Sequence, residues 1–308
     1  MKIGVPKEIK NHEYRVGLTP DSVKEIIKNN HEVFIQKDAG SEIGFSNEAY
    51  EGAGATIIDN AKELYEASEL IVKVKEPIPE EFKYLNSKHT VFAYLHLAGD
   101  PKTGLELAST GVTGIALETV TADNGTMPLL SPMSAIAGQL SLVVGSYHLL
   151  KPNKGMGILI GAFQNVEPRV VTVIGAGVAG TEAIEKAIDN KAHLKIIDLS
   201  EKRLNELERI YGNKNIEYIL STEASIESAL IESDLVIGAV YVIGKQAPKV
   251  VKNSMLKQMK PGAVMVDISI DQGGCFESSK PTTHAKPTYD KDGIIHYCVT
   301  NMPGAVPL

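Results

Sequence analysis

Residues 169–199 read RVVTVIGAGVAGTEAIEKAIDNKAHLKIIDL, and the fold turns on how this stretch is parsed. Val170 to Ile174 form a short, β-branched apolar run, as expected of a strand covered on both faces. Gly175, Gly177 and Gly180 follow at GxGxxG spacing, and a helical pattern starts at once. Gly175 permits a tight turn, Gly177 lets the backbone approach a pyrophosphate, and Gly180 lets helix and strand pack closely. Ala176, Val178 and Ala179 fill the intervening positions. The helix N-terminus then offers free N–H groups and the positive end of its dipole to phosphates. The second strand, HLKIIDL, ends in Asp198, where a carboxylate can hydrogen-bond ribose hydroxyls and repel the 2′-phosphate of NADP. NAD is therefore the expected cofactor. Arg203, five residues on, is placed to soften that preference. A glycine-rich turn that binds nothing is the bland alternative.

Outward from this unit, short apolar runs alternate with helical patterns along the whole chain. The first series of strand-like runs covers 2–5, 32–36, 55–58, 69–74, 91–95 and 113–117. The second covers 170–174, 193–197, 216–219, 235–240, 263–268 and 295–299. In TPDSVKEIIKN, Thr19 suits a cap, Pro20 suits the first helical turn, and Val23, Ile26 and Ile27 share one face. Strand and helix alternating in this way predict α/β domains with parallel sheets. Residues 134–150, SAIAGQLSLVVGSYHLL, read as a helix buried most of the way round, a spine joining two domains whose boundary falls within 127–134.

A length of 308 residues also favours two domains. No apolar run is long enough to span a bilayer, and MKIGVPKEIK has no apolar core of a secretory signal. Cys275 and Cys298 stand far apart and flank no CxxC, so neither a disulfide framework nor a metal site is expected; a reducing cytoplasm fits. A net charge of −7 and the absence of Trp argue against a nucleic-acid partner.

Several polar residues fall where packing does not explain them. LIVKVKEP puts Lys73 and Lys75 on one side of a strand by its period of two, which also suits a half-exposed edge strand. FAYLHLAGD places His96 just past an apolar run, where catalytic groups gather in α/β folds, although a lone histidine there is more often a structural hydrogen-bonder. Arg15 in NHEYRVGL is by default a surface arginine. AVMVDISIDQGGCFE carries Asp267 and Asp271 around a strand end, followed by Gly273 and Gly274; one aspartate is expected to face the crevice where a nicotinamide lies, and a turn-forming aspartate before Gly-Gly is the alternative.

Together these stretches resemble the alanine dehydrogenase family: MKIGVPKEIKNHEYRVGLTP, LIVKVKEPI, YLHLA, LLSPMSAIAGQ, VIGAGVAGTEA, VIGAV, GAVMVDISIDQGGCFE and NMPGAVP. The resemblance implies two Rossmann-like, doubly wound domains with the active site in the cleft between them. It implies a substrate domain over 1–128, an NAD-binding domain over 129–305 and a crossover beginning at 306–308. It implies NAD-dependent interconversion of L-alanine with pyruvate and ammonium. Arg15 and Lys75 then resemble the pair that holds the substrate carboxylate, which leaves Lys73 on the bland reading. His96 resembles the general acid/base, and Asp271 the second catalytic group. Ser134, Gly175–Gly180, Asp198, Arg203, Ser221, Val240, Asn301 and Met302 fall on cofactor-binding stretches. A cytoplasmic homohexamer is also implied. The chain departs from the family at 161–166, GAFQNV in place of GGVPGV, and at Leu117, where a Tyr is usual. The family's chains continue past NMPGAVP, so a truncated enzyme is expected here, its first domain deprived of helices that return to it. A soluble transhydrogenase subunit and an NAD-binding remnant without turnover are the alternatives.

Overall fold

Both series of apolar runs become sheets, one in each of two compact units. The computed structural model describes residues 1–308; the first unit comprises Met1–Leu130 and Gly304–Leu308, the second Ser131–Pro303.

The first unit holds strands β1 (Lys2–Val5), β2 (Glu32–Gln36), β3 (Thr56–Ile58), β4 (Leu70–Lys75), β5 (Thr90–Tyr94) and β6 (Thr113–Ala116). They lie in the order β3-β2-β1-β4-β5-β6, every neighbouring pair parallel. Helices α1 (Pro20–Lys28), α2 (Asn47–Gly52), α3 (Ala61–Ala67), α4 (Pro79–Phe82) and α5 (Pro101–Ser109) connect them. The start of α1 is dictated locally: the Thr19 hydroxyl accepts the Ser22 N–H at 3.2 Å, and Pro20 fills the first helical position. Two separate apolar clusters back the sheet. One joins Val23 of α1 to Ile3, Val5, Val33 and Ile35; the other joins Leu64 and Tyr65 of α3 to Ile71, Val91 and Leu107.

The edge-strand alternative for KVK is overturned. β4 lies between β1 and β5, and Lys73 and Lys75 are only 1% and 2% exposed. Their common side, expected from the period of two, is interrupted as well. Val72 pairs with Phe92 but Lys75 with Tyr94, a one-residue shift that resets the alternation between the two lysines.

The second unit holds α6 (Leu130–His148), β7 (Val170–Ile174), α7 (Val178–Asp189), β8 (His193–Asp198), α8 (Glu201–Tyr211), β9 (Ile216–Leu220), α9 (Glu223–Glu232), β10 (Leu235–Gly238), β11 (Val264–Asp267), β12 (Thr288–Lys291) and β13 (Ile294–Tyr297). The sheet order is β12-β13-β11-β10-β7-β8-β9. All pairs are parallel except β12 with β13. An all-parallel sheet was expected, and β12 corrects it. The half-exposed edge run TYDK lacks apolar alternation, but Asp292-Gly293, both at positive φ, form the two-residue hairpin turn that generates it.

Helix α6 starts four residues before the expected 134 and is not buried all round. Val143 and Tyr147 are 54% and 58% exposed. Its uniformly apolar appearance comes from small residues on one face: Gly138 sits against the Ala179 backbone and Gly145 against Leu235. No helix is long and apolar enough to cross a membrane.

Candidate functional site

In the second unit, the glycine turn, Asp198, Ser221 and Val240 lie at the carboxyl ends of the strands. β7 and β10 are neighbours from which the strand order runs in opposite directions, the switch point where α/β sheets bind ligands. Gly175 leaves β7 at φ +94°, and a Cβ there would lie 2.6 Å from the Ala239 carbonyl oxygen at the end of β10. A Cβ on Gly180 would come within 1.8 Å of the Gly175 carbonyl oxygen, so only glycine permits this approach of helix to turn. Around Gly177 the space is open, with nothing within 4 Å of an added Cβ, and no side chain caps α7. Uncapped N–H groups facing open space are what a pyrophosphate requires, so the turn fits the phosphates of a dinucleotide.

Asp198 ends β8. Its Oδ2 accepts the Ala176 N–H at 2.7 Å and its Oδ1 the Ser200 N–H at 2.8 Å, so the carboxylate is anchored to the turn while half-exposed. Ser221 follows β9 and donates its N–H to the Asp198 carbonyl at 2.9 Å. Arg203 is turned inward. Its Nε donates to the Ala176 carbonyl at 3.0 Å, one terminal nitrogen to the Thr181 hydroxyl at 2.8 Å, and the other pairs with Glu206 at 2.9 Å. It braces the glycine turn. Val240 follows β10; Ser134 lies in the first turns of α6; Asn301, in the left-handed region at φ +69°, and Met302 are buried beyond β13.

The two aspartates of DISID separate cleanly. Asp267 is fully buried at the end of β11 and accepts the Ser269 N–H at 3.0 Å, the Cys275 N–H at 2.8 Å and the Ser279 hydroxyl at 2.5 Å. Burial pushes its carboxyl above the usual range, against the pull of Ser279 and the backbone donors. It is the structural, turn-forming member. Asp271 lies in the 3₁₀ turn Ile268–Gln272 just beyond. The loop after it is held on its other side: the Lys249 ammonium reaches the Gly273 and Gly274 carbonyls, and the Ala247 N–H donates to the Gln272 carbonyl at 3.0 Å.

In the first unit, the equivalent edge carries a different chemistry. The Lys75 ammonium lies 3.7 Å from Glu76. Arg15, expected on the surface, has a side chain only 11% exposed, gripped by the fully buried Glu13 carboxylate at 2.6 and 2.7 Å. His96 follows β5 with φ +46°, a conformation uncommon outside glycine and costly enough that the surroundings must enforce it. Glu118, at the end of β6, does so: its carboxylate accepts the His96 N–H at 2.6 Å and the Leu95 N–H at 3.2 Å. Tyr94 lies nearly parallel to the His96 ring, centroids 6.1 Å apart, and donates its hydroxyl to the Leu129 carbonyl at 2.6 Å. Burial raises the Tyr94 hydroxyl; Arg15 draws it down and Glu118 pushes it up, so the three are within electrostatic reach.

Sequence reading passed over Glu8, Glu13, Tyr94 and Glu118. Single acids beside apolar strands read as surface charge, and their partners are 2 to 67 residues away. No group of three His, Cys, Asp or Glu side chains gathers as a metal site.

An open glycine turn at a switch point, with an anchored acid at the tip of the next strand, defines a Rossmann-type nucleotide-binding protein. The comparisons narrow the class. The description "Alanine dehydrogenase/PNT, N-terminal domain" matches residues 4–137, and its C-terminal counterpart matches 141–308. The alanine dehydrogenase of Halomonas elongata is 49% identical over 306 residues, covering 99% of this chain and 82% of that protein. That of Bacillus subtilis is 48% identical over 308 residues, covering 100% and 81%. An L-alanine dehydrogenase structure superposes with TM-score 0.89 at 46% identity, covering 100% of this chain and 84% of that one. A transhydrogenase from Sinorhizobium meliloti, at 24% identity and TM-score 0.80, shares the fold. This chain belongs to the alanine dehydrogenase/PNT family. Family and fold together imply a pyridine-nucleotide cofactor.

Proposed function

We propose that the protein is an NAD-dependent L-alanine dehydrogenase that interconverts L-alanine with pyruvate and ammonium. The observation that carries the proposal is that Lys75 pairs with Tyr94 across β4 and β5 while Tyr94 stacks on His96 and lies within electrostatic reach of Arg15, in a chain nearly half identical to alanine dehydrogenases throughout. NAD is favoured over NADP because the Asp198 carboxylate meets the ribose and Arg203 is engaged elsewhere.

Bound NAD supplies the acceptor for the hydride of the substrate α-carbon. The rest falls to this chain. Arg15 and Lys75 hold the substrate carboxylate, the Arg15 fork kept in its plane by Glu13. Loss of hydride leaves an iminium carbon, and Asp271 stabilises its positive charge. Water adds to that carbon as His96 takes a proton from it; His96 passes this proton to the nitrogen, then takes the remaining hydroxyl proton as the C–N bond breaks, so that the carbonyl forms and ammonia leaves to be protonated to ammonium. An imidazole can both take and give a proton, so one residue serves both directions. Glu118 sets the His96 backbone for this, and Tyr94 flanks the ring. A cytoplasmic homo-oligomer accompanies this reading, the second part open to test by sedimentation.

The test is alanine-dependent formation of NADH. His96→Ala is expected to lower kcat by roughly 10²–10⁴-fold while leaving NADH binding intact. Wild-type protein that binds NADH but forms none from L-alanine would overturn the proposal in favour of a cofactor-binding remnant.

A further inference from the structure

Lys73 is the motif residue that the reaction leaves unused, and its surroundings lead to Glu8. β1 pairs with β4 only at Ile3↔Leu70 and Gly4↔Ile71, and β1 ends at Val5. On the other side, the register with β5 slips between Val72 and Lys75. The end of β4 has thus lost regular pairing on both sides, where Lys75 emerges. Buried backbone N–H groups there need another acceptor. Glu8 provides it: one carboxylate oxygen accepts the Val74 N–H at 2.7 Å and the Lys75 N–H at 3.3 Å.

The other Glu8 oxygen accepts from the Lys73 ammonium at 3.1 Å. Lys73 also pairs with Glu81 at 2.9 Å; Glu81 receives the Tyr65 hydroxyl at 2.8 Å and the Ile78 N–H at 3.0 Å. All three charged side chains are at most 5% exposed. Two carboxylates about one ammonium tie together residue 8, the end of β4 and the segment 78–81. Burial raises the Glu8 carboxyl, and the Lys73 ammonium and Val74 N–H oppose that rise. A buried charge persists only when so paired.

We infer that Glu8 is a positioning residue for Lys75: its carboxylate stands in for a missing strand neighbour and fixes the backbone from which the Lys75 side chain reaches substrate. Lys73 keeps that carboxylate in place. The inference rests on the reading of Lys75 as a ligand of the substrate carboxylate.

Two conservative variants separate grip from charge. Glu8→Gln keeps an oxygen acceptor for both N–H groups and leaves Lys73 to Glu81. Glu8→Asp keeps the charge but withdraws the acceptor by one methylene. Steady-state kinetics with L-alanine should show KM raised about tenfold in Glu8→Asp, the scale of two weakened backbone hydrogen bonds. Glu8→Gln should stay within about twofold, with kcat and NADH affinity little changed in both, because only ground-state positioning is affected. On a Lys75→Ala background Glu8→Asp should add nothing, and amide exchange at Val74 and Lys75 should quicken in Glu8→Asp alone. If Lys75→Ala leaves KM for alanine unchanged, the reading of Lys75 is wrong and the inference goes with it. If Lys75→Ala raises KM but Glu8→Asp does not, only the positioning role is overturned. Glu8→Gln more impaired than Glu8→Asp, or additive effects in the double variant, also overturns it.

Discussion

The two units are built on the same strand order, yet they differ at the first connection. In the first, β3-β2-β1-β4-β5-β6 places β1 and β4 at the switch point; in the second, β9-β8-β7-β10-β11-β13 places β7 and β10 there. The link from β7 to α7 is three small residues, 175–177, with open space at Gly177. The link from β1 to α1 runs from residue 6 to 19 and carries Glu8, Glu13 and Arg15. One brace is common to both. Gln36, ending β2, accepts the Lys7 N–H at 3.0 Å, as Asp198, ending β8, accepts the Ala176 N–H at 2.7 Å. Each bond joins the tip of the neighbouring strand to the second residue past the central one. The scaffold is shared; its two switch points differ because one is a short glycine turn, open at Gly177, and the other carries a long link with charged side chains.

Glycine substitutions should break this comparison most sharply. Gly180→Ala forces a Cβ into backbone at 1.8 Å, whereas Gly4→Ala meets the Ser68 side chain at 2.2 Å. Gly180→Ala is expected to destabilise the second unit by about 3 kcal/mol, at the upper end of overpacking, and to abolish NADH binding in a fluorescence titration. Gly4→Ala should leave NADH binding intact, and its lower melting temperature should recover in part with Ser68→Gly.

A smaller effect should follow from making the braces alike. Asp198→Asn keeps an oxygen for the Ala176 N–H but removes the charge. The preference for NAD over NADP should fall about tenfold, equivalent to ~1.4 kcal/mol of repulsion. Unchanged preference would mean that the acid acts only as a brace, as Gln36 does.

The smallest effect is on pH dependence. Burial holds His148 and His296 of the second unit below the ordinary imidazole value of 6.5. His296 is set between the Ile294 carbonyl at 3.0 Å and the Ser278 hydroxyl at 2.7 Å, so it donates from Nδ1 and accepts at Nε2. A depressed histidine contributes stability that is present above pH 6.5 and is lost as pH falls through the folded value. Glu8 in the first unit has the opposite sign: its raised value favours folding at pH below 4.5 and loses that contribution as pH rises through the folded value. Mild acid should therefore lower the NADH-sensitive melting transition, and His296→Gln should reduce that sensitivity. An equal loss in the variant would mean that other groups govern it.

Strand–helix alternation and the glycine turn were legible because they depend on neighbours in sequence: a period of two, a cap at Thr19, three glycines and an acid at the next strand's tip. The bulge in β4 was not, since it exists only where β4 meets β5. Lys73 was misread for the same reason, because the residues that neutralise it lie at positions 8 and 81. Glu118 escaped notice because the histidine backbone it holds is 22 residues away.

The chain by itself determined the two sheets, the nucleotide turn and the family, all properties of short-range pattern. Tertiary structure decided which of two lysines is locked between Glu8 and Glu81 and which lies beside Glu76, which of two aspartates is structural, and where Arg203 points. Those outcomes depend on burial, and a charge drawn out of water must find its partner wherever the fold brings one within hydrogen-bond reach.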